Sequence, residues 1–252
     1  MEVKYFNSEA VEIDGQKMVY LASPHAMIEK IFEALSLIGP EKFFSSPDEK
    51  AKKLRESMAE SFFALALKKN SGQDWWVTQP EKDPPDFVLT SWTENPITVT
   101  VAPFELVEIP PRCVSFEEMM KIVRGKLNKG YPSNYHLLVF VNNENSIDWI
   151  ERLHRELKKD ISFQTLWTLH LLQNKETQTI SAAVANKLRP LPLGHGEISF
   201  ESGKGLRLDP LPSFMEVVKN GDRSFIKFNE EFALKLRKEM MKELRDRREA
   251  HR

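Results

Sequence analysis

Apolar residues in the first third of the chain recur at helical spacing. One amphipathic helix is predicted to begin at Ser23-Pro24 and to end before Gly39. A second is predicted to open on a capping box, residues 46–49, and to run to about Lys69. Within it, residues 62–67 are apolar on every side. We therefore expect that part of the second helix to be buried.

Beyond the second helix the pattern changes from helical spacing to alternation. Short β-branched and aromatic runs predict strands, which are residues 75–78, 87–90 and 97–101, the last continuing through 104–109. The short connections predict an antiparallel meander. Pro103, in the middle of the third run, indicates a bulge or an edge position.

The second half of the chain is predicted to alternate helices and strands before a proline-rich extension. The predicted elements are a helix from Ser115 to Gly130, a buried strand at 137–141, a helix at 147–157, a strand at 163–172, short strands and loops over 176–212, and a helix from about Asn229. This order predicts an α/β fold with a mixed central sheet, an N-terminal helix and a C-terminal helical extension. Residues 1–226 are expected to form one domain, with an amphipathic helix over 227–252.

Composition narrows the class of protein. Lys and Arg number 36 and Asp and Glu number 37, a net charge of −1, which excludes a polybasic protein that binds nucleic acid by charge alone. The one cysteine, Cys113, excludes an intrachain disulfide and a zinc site built on several thiolates. No signal peptide or membrane span is recognised, so we expect a cytoplasmic protein without a membrane partner.

Several catalytic signatures are missing from the sequence. There is no Gly-x-Gly-x-x-Gly or Walker-type loop, so no nucleotide cofactor is expected. The histidines lack His-Glu-x-x-His spacing, and the serines lack a Gly-x-Ser-x-Gly setting. Tryptophans 75, 76 and 92 could stack on bases, although such residues more often pack in a core.

Four ionisable residues are candidates by their placement: Glu60, Asp86, Glu105 and Lys126. Asp86 begins one predicted strand, and Glu105 lies on the next, so a suitable hairpin register would bring the two carboxylates together. Paired carboxylates need a shared proton or a cation, and oxygen ligands suit Mg²⁺ or Mn²⁺. Strand alternation places Glu105 and Glu108 on opposite faces, so they should not share a metal.

Each candidate also has a simpler interpretation. Asp86 after two prolines is a common turn residue. Glu105 could face solvent, with Glu108 taking its place in a shifted register. Lys126 continues the inward stripe of Met119 and Val123 on the third predicted helix, but its head could extend to solvent.

The motifs around these residues resemble a known superfamily. The stretch from Glu60 through residues 74–77 (Asp-Trp-Trp-Val) and 85–87 (Pro-Asp-Phe) to 104–107 (Phe-Glu-Leu-Val) resembles the core of the PD-(D/E)XK nuclease-like superfamily. The resemblance covers residues 47–172. It implies an α-β-β-β-α-β restriction-endonuclease-like core and a Mg²⁺- or Mn²⁺-dependent endonuclease acting on nucleic acid, with DNA favoured over RNA.

Carried onto this sequence, the resemblance makes Asp86 and Glu105 metal ligands and Glu60 a supporting helix carboxylate. The superfamily would place its lysine at position 107, where this chain has Val107. Some members supply the lysine from the following helix, and Lys126 is then the candidate. Without that substitute, the chain would be an inactive relative that serves as an interaction or nucleic-acid-binding module.

The C-terminal segment, residues 227–252, has two interpretations. Apolar residues recur along it with a spacing of four: Phe228, Phe232, Leu236, Met240 and Leu244. This pattern favours an amphipathic helix that packs on the body or forms a homodimer. The alternative is phosphate contact by its arginines, which are Arg245, Arg247, Arg248 and Arg252. The interleaved acids favour packing.

Overall fold

The structure is a computed structural model that describes residues 3–6, 10–13, 16–18, 21–80, 84–94, 97–142, 147–157, 161–174, 179–186, 198–201, 215–220 and 223–250. The helices in these ranges are α1 (Pro24–Ile38), α2 (Pro40–Ser45), α3 (Glu49–Ser71), α4 (Phe116–Leu127), α5 (Ile147–Glu156) and α6 (Glu230–Ala250). The strands are β1 (Val3–Phe6), β2 (Ala10–Ile13), β3 (Gln16–Met18), β4 (Trp76–Thr78), β5 (Phe87–Glu94), β6 (Ile97–Ile109), β7 (His136–Val141), β8 (Thr165–Asn174), β9 (Thr179–Asn186), β10 (Ile198–Glu201), β11 (Met215–Asn220) and β12 (Arg223–Phe228).

A seven-stranded mixed sheet organises the fold, with the strand order β10-β9-β8-β7-β6-β5-β4. The strands β6, β7 and β8 are parallel, and the other neighbours are antiparallel. Parallel neighbours need a crossover, which α4 supplies between β6 and β7 and α5 between β7 and β8. The expected α/β class and mixed sheet are therefore confirmed.

Two apolar clusters lie on the two faces of this sheet. On one face, α1 and α3 pack on the strands, and residues 62–66 of α3 are buried as predicted. On the other face, α4 packs on β6 and β7 through residues such as Met119 and Val123. Residues 137–141 of β7 belong to both clusters, and none of these side chains is exposed. Burial on both faces accounts for the unbroken apolar run in this strand.

One local prediction needed correction, and the structure decides between two alternatives at another position. The N-cap of α3 is Asp48 rather than Ser46, since the Asp48 carboxylate accepts hydrogen bonds from the amides of Lys50 and Ala51. The Ser46 hydroxyl, two residues earlier, instead accepts a hydrogen bond from the Asp48 amide. Residues 97–109 form one strand, β6, in which Pro103 pairs with Val88 of β5 just before the pairing with β7 begins. Pro103 thus lies where β6 has a neighbour on one side, as the edge interpretation requires.

Some elements have no counterpart in the sequence predictions. They are the β1-β2-β3 antiparallel sheet, the short helix α2 and the β11-β12 hairpin. The predicted boundary at residue 227 is displaced, because β12 continues to Phe228 and α6 starts at Glu230. The strands β9 and β10 fall within the predicted extension, of which 176–178, 187–197 and 202–212 lie outside the described residues. Among the helices described, none is both long and apolar enough to span a bilayer.

Candidate active site

The hairpin of β5 and β6 brings Asp86 and Glu105 together. The last cross-strand pair is Phe87 with Phe104, so Asp86 and Glu105 occupy the next position on each strand. The Asp86 carboxylate is held there by the amide of Leu106, which donates to Oδ2 at 2.6 Å. The register that the sequence left open is therefore the one that unites the two carboxylates.

Lys126 reaches this pair from α4. The helix begins at its Ser115 N-cap and buries Met119 and Val123 completely, so Lys126 follows on the inward stripe. Its Nζ atom lies 2.7 Å from Asp86 Oδ2 and 2.7 Å from Glu105 Oε2, and 15% of the side chain is exposed. The head of Lys126 therefore binds both carboxylates rather than extending to solvent.

Opposing effects act on the charge of Lys126. Burial tends to lower the pKa of Lys126, but the charges and hydrogen bonds of Asp86 and Glu105 outweigh it and raise the pKa above its usual value. The lysine is thus a permanent ammonium at neutral pH.

Glu105 is the most enclosed of the three groups, at 1% exposed. Burial raises the pKa of Glu105, Asp86 adds repulsion, and the contact with Lys126 opposes both. Oε2 accepts the ammonium, whereas Oε1 is buried and has no well-aligned hydrogen bond from the residues that the structure describes. An acceptor atom left without a partner at a charged cluster is a position where a cation or a polar ligand group would be stabilised.

The structure adds one residue that the sequence analysis missed, Tyr131. The hydroxyl of Tyr131 interacts with the Glu105 carboxyl, and the Lys126 ammonium lies 5.8 Å from the centre of its ring. Burial and the negative charge of Glu105 raise the pKa of Tyr131 to about 12, so its hydroxyl keeps its proton. The sequence signal was weak: an aromatic residue directly after Gly130, the predicted end of the helix.

Glu60 lies apart from these groups. It is buried within α3, and its carboxylate Oε2 accepts a hydrogen bond of 3.0 Å from Gln79. Burial raises the pKa of Glu60 to about 8, with a contribution from the repulsion of Glu56 and Asp86. Glu60 therefore carries a proton at neutral pH, because burial and the nearby charge of Asp86 both disfavour its ionised form.

Strand alternation separates Glu105 from Glu108, as predicted. Glu108 faces the α3 side of the sheet, where its two carboxylate oxygens accept hydrogen bonds from Arg55 at 2.6 and 3.2 Å. Asn142 also donates to Glu108, at 3.0 Å. The alternative in which Glu108 replaces Glu105 through a shifted register is therefore wrong.

The carboxylates supply oxygen donors of the kind that Mg²⁺ and Mn²⁺ prefer. Within the described part of the chain, no group of three or more Asp, Glu, His or Cys side chains is arranged to hold a metal ion. Two carboxylates suffice for Mg²⁺ when water and substrate phosphate complete its shell. The carboxylates of Asp86 and Glu105 are therefore chemically compatible with such an ion, and Glu105 Oε1 has no well-aligned hydrogen bond from the described residues that would compete with it.

Other residues singled out by sequence have structural surroundings. Trp76 is 3% exposed and stacks on Trp92 with ring centres 6.1 Å apart, which is core packing. Cys113 is buried, and burial raises the pKa of its thiol. Arg245 on α6 is exposed. The side chains of Arg247, Arg248 and Arg252 lie outside what the structure describes.

Comparison with protein-family models, curated protein sequences and solved structures found no match to this chain.

Proposed function

We propose that the protein is a Mg²⁺- or Mn²⁺-dependent endonuclease that hydrolyses phosphodiester bonds in nucleic acid, DNA rather than RNA. The observation that carries the proposal is the convergence of Asp86, Glu105 and Lys126, with Lys126 Nζ 2.7 Å from a carboxylate oxygen of each acid. Asp86 directly precedes β5, Glu105 lies on β6 and Lys126 on α4, so the grouping depends on the fold rather than on sequence proximity.

The order of elements supports the proposal. A helix, an antiparallel meander, a second helix and a parallel strand follow one another as α3, β4-β5-β6, α4 and β7. This is the α-β-β-β-α-β order of the restriction-endonuclease-like core that the sequence resemblance implies. Assignment to that core remains part of the proposal.

In this proposal Asp86 and Glu105 would hold the metal ion. The bound ion would lower the pKa of a coordinated water and offset negative charge on the phosphate. Asp86 is fixed by the Leu106 amide, and Glu105 is enclosed by the sheet and Tyr131, so both carboxylates are held in position before a substrate arrives. Fixed ligands avoid the cost of ordering flexible side chains.

Lys126 would stabilise the charge that develops on the phosphate. Its ammonium remains protonated because two carboxylates surround it, and a charged donor in a partly dry site is more effective than one in water. In this role Lys126 replaces the lysine that the resemblance would place at position 107, where this chain has the uncharged Val107. The lysine then comes from α4 instead of β6.

Glu60 would support the site indirectly. Its protonated carboxyl and Gln79 form a hydrogen-bonded pair that limits the negative charge near Asp86. A second ionised acid would raise the cost of placing Asp86 beside the phosphate.

The direct test is cleavage of plasmid DNA and of RNA by the full chain with Mg²⁺ or Mn²⁺. Asp86→Asn and Glu105→Gln should each reduce the rate by a hundredfold or more, about the loss typical of removing one essential charged group. Matched controls are Asp148→Asn and Glu151→Gln, which make the same changes at exposed positions on α5. Equal cleavage by Asp86→Asn and the wild type would contradict the proposal.

A second candidate is an inactive protein of the same fold that binds nucleic acid or another protein. It is favoured by Lys126, whose ammonium already forms an ion pair with each carboxylate, together with Val107 at the usual lysine position. Calorimetry with Mn²⁺ separates the two candidates. Binding that disappears in Glu105→Gln favours the nuclease, and no binding at millimolar Mn²⁺ favours the inactive protein.

Two further expectations from the sequence stay predictions: a homodimer through α6 and a cytoplasmic location. Phe232 on α6 is buried, whereas Leu234 and Met241 are exposed apolar residues on the same helix. Deletion of residues 229–252 followed by light scattering would test the dimer, because a dimer held by α6 should become a monomer.

A further inference from the structure

We propose that Tyr131 is a positioning residue that holds Lys126 and Glu105 in their reactive arrangement; the reaction it serves rests on the proposed nuclease function. Tyr131 is half-buried directly beside the ion pair, and it contacts both partners with different parts of its side chain.

The placement of Tyr131 follows from how α4 ends. The helix stops at Leu127, and Gly130 adopts a φ of +72°, in the left-handed region that favours glycine. The chain therefore reverses toward the sheet and delivers Tyr131 to the same end of α4 that carries Lys126. The helix end fixes the distance between these two residues.

A rigid aromatic cluster then holds the Tyr131 ring. Its centre lies 5.3 Å from that of Phe163 and 6.3 Å from that of Tyr135, and both of these residues are buried. The backbone of Tyr135 is itself tied to the start of β8 by the Gln164 amide, which donates to the Tyr135 carbonyl at 2.7 Å. These ring contacts restrict the Tyr131 side chain to its place beside Lys126 and Glu105.

The two parts of Tyr131 act on the two charged groups. The ring face lies 5.8 Å from Lys126 Nζ, within the range of a cation–π interaction. Lys126 has three N–H donors, and Asp86 and Glu105 accept from it, so the ring can stabilise the remaining side of the ammonium. The hydroxyl interacts with Glu105 and restricts its carboxyl. Tyr131 thereby limits the positions of the Glu105 carboxyl and the Lys126 ammonium together.

A metal-free spectroscopic test reads the position of Lys126 directly. The full chain is labelled with ¹⁵N-lysine, treated with EDTA, and examined by NMR at low temperature, with Lys126→Arg identifying the Lys126 ammonium signal. We expect a slowly exchanging signal in the wild type. Exchange should be several-fold faster in Tyr131→Phe, which lacks only the hydroxyl, and faster again in Tyr131→Leu, which also lacks the ring.

Two results would overturn the proposal: exchange in Tyr131→Phe equal to that of the wild type, or a wild-type Lys126 ammonium that exchanges as fast as free lysine. Backbone amide spectra and thermal unfolding check that each variant is folded. Tyr131→Phe keeps the ring packed on Phe163, so a changed Lys126 signal in a folded variant reports the hydroxyl rather than the fold.

Cleavage kinetics separate this inference from the proposed function. In Tyr131→Phe we expect kcat to fall about tenfold with KM nearly unchanged, as when one hydrogen bond to a charged group is lost from the transition state. A wild type that does not cleave would defeat the proposed function, yet the ammonium exchange would still decide whether Tyr131 holds Lys126. A wild type that cleaves, with unchanged kcat in Tyr131→Phe, would defeat the inference alone.

Discussion

Glu105 and Glu108 lie three residues apart on β6, and each binds a different basic residue on a different face of the sheet. Glu105 forms an ion pair with the ammonium of Lys126 on α4, and Glu108 forms one with the guanidinium of Arg55 on α3. The pleat of a strand turns successive side chains to alternate faces, so an odd spacing separates the two acids. One strand therefore carries a candidate catalytic carboxylate and a structural one.

Replacing Lys126 by Met should strengthen metal binding while it weakens catalysis. The ammonium lies 2.7 Å from both carboxylates, and a divalent ion bound to the same oxygens would be repelled by it. Removing that charge should raise Mn²⁺ affinity by about tenfold or more, because it removes the repulsion between two neighbouring positive charges in a partly exposed site. Calorimetry measures the affinity, and DNA cleavage measures the loss of rate.

The control for Lys126→Met is Lys129→Met, an exposed lysine three residues along. It should leave Mn²⁺ affinity close to that of the wild type. Weaker Mn²⁺ binding in Lys126→Met would mean that the lysine assists the ion instead of competing with it.

Replacing Arg55 by Met should destabilise the fold strongly. Arg55 is 5% exposed, and besides Glu108 it donates to the carbonyls of Phe43 and Ser46, at 2.9 and 3.0 Å. The substitution leaves the charged, enclosed Glu108 carboxylate without its positively charged partner, with only the amide of Asn142 still donating to it. Breaking such a buried pair costs about 3–5 kcal/mol, which urea denaturation measures as a loss in the free energy of unfolding.

A matched comparison for Arg55 is Lys52→Met on the same helix. Lys52 pairs with Glu56 at 3.6 Å on the surface, where the lysine side chain is 46% exposed. Such a pair contributes less than about 1 kcal/mol. If the two variants lose equal stability, the Arg55–Glu108 pair is not a buried anchor.

The raised pKa of Glu60 predicts that the protein loses stability as pH rises. Burial raises the pKa of Glu60 to about 8 from a reference value of 4.5, so between these values the native state binds a proton that the unfolded state has lost. The contribution of Glu60 to the free energy of unfolding is therefore greatest below pH 4.5 and falls toward pH 8, at up to ~1.4 kcal/mol per pH unit. Glu60→Gln should flatten this decline in denaturation measured across that range.

The control for Glu60→Gln is Glu151→Gln, at an exposed position of α5. Its stability should follow the wild-type pH profile. A wild-type profile that rises between pH 5 and 8, with no change in Glu60→Gln, would show that Glu60 is ionised in the native protein.

The lowered pKa of His136 predicts the opposite effect, a loss of stability as pH falls. Burial lowers the pKa of His136 to about 4, and its ring stacks on Phe104 with centres 4.8 Å apart. The Trp167 indole donates to Thr165 Oγ1 at 2.7 Å, and we expect the Thr165 hydroxyl to donate its own proton to His136 Nδ1, 2.6 Å away. The neutral ring then carries its proton on Nε2.

This contribution of His136 is present above pH 6.5 and is lost as pH falls toward 4, since the unfolded state then binds the proton first. Nitrogen NMR of labelled histidine should show an Nε2–H tautomer at pH 7 and no protonation of His136 until about pH 4. A signal that titrates near 6.5 would contradict the arrangement.

The strongest sequence predictions depended on local regularity. The buried turn of α3, the inward stripe of α4 and the continuous apolar run of β7 are found where the spacing placed them. Tyr131 was missed because a single aromatic residue produces no periodic signal. The β1-β2-β3 sheet was missed although Asp14-Gly15, a dipeptide typical of hairpin turns, stands between the paired strands β2 and β3. Asp48 was missed as the cap of α3 because Ser46 offers the same chemistry two residues earlier, and only the backbone path selects between them.

The sequence by itself determined the helical and strand segments, the alternation that separates Glu105 from Glu108, and the inward direction of Lys126. Those properties follow from repeats of 2 and 3.6 residues along the chain. Only the tertiary structure decided that Asp86 and Glu105 share a register, that Lys126 spans both, and that Glu60 stays apart with its proton. These depend on hairpin pairing, on the crossover of α4 and on burial, which join residues up to 40 positions apart.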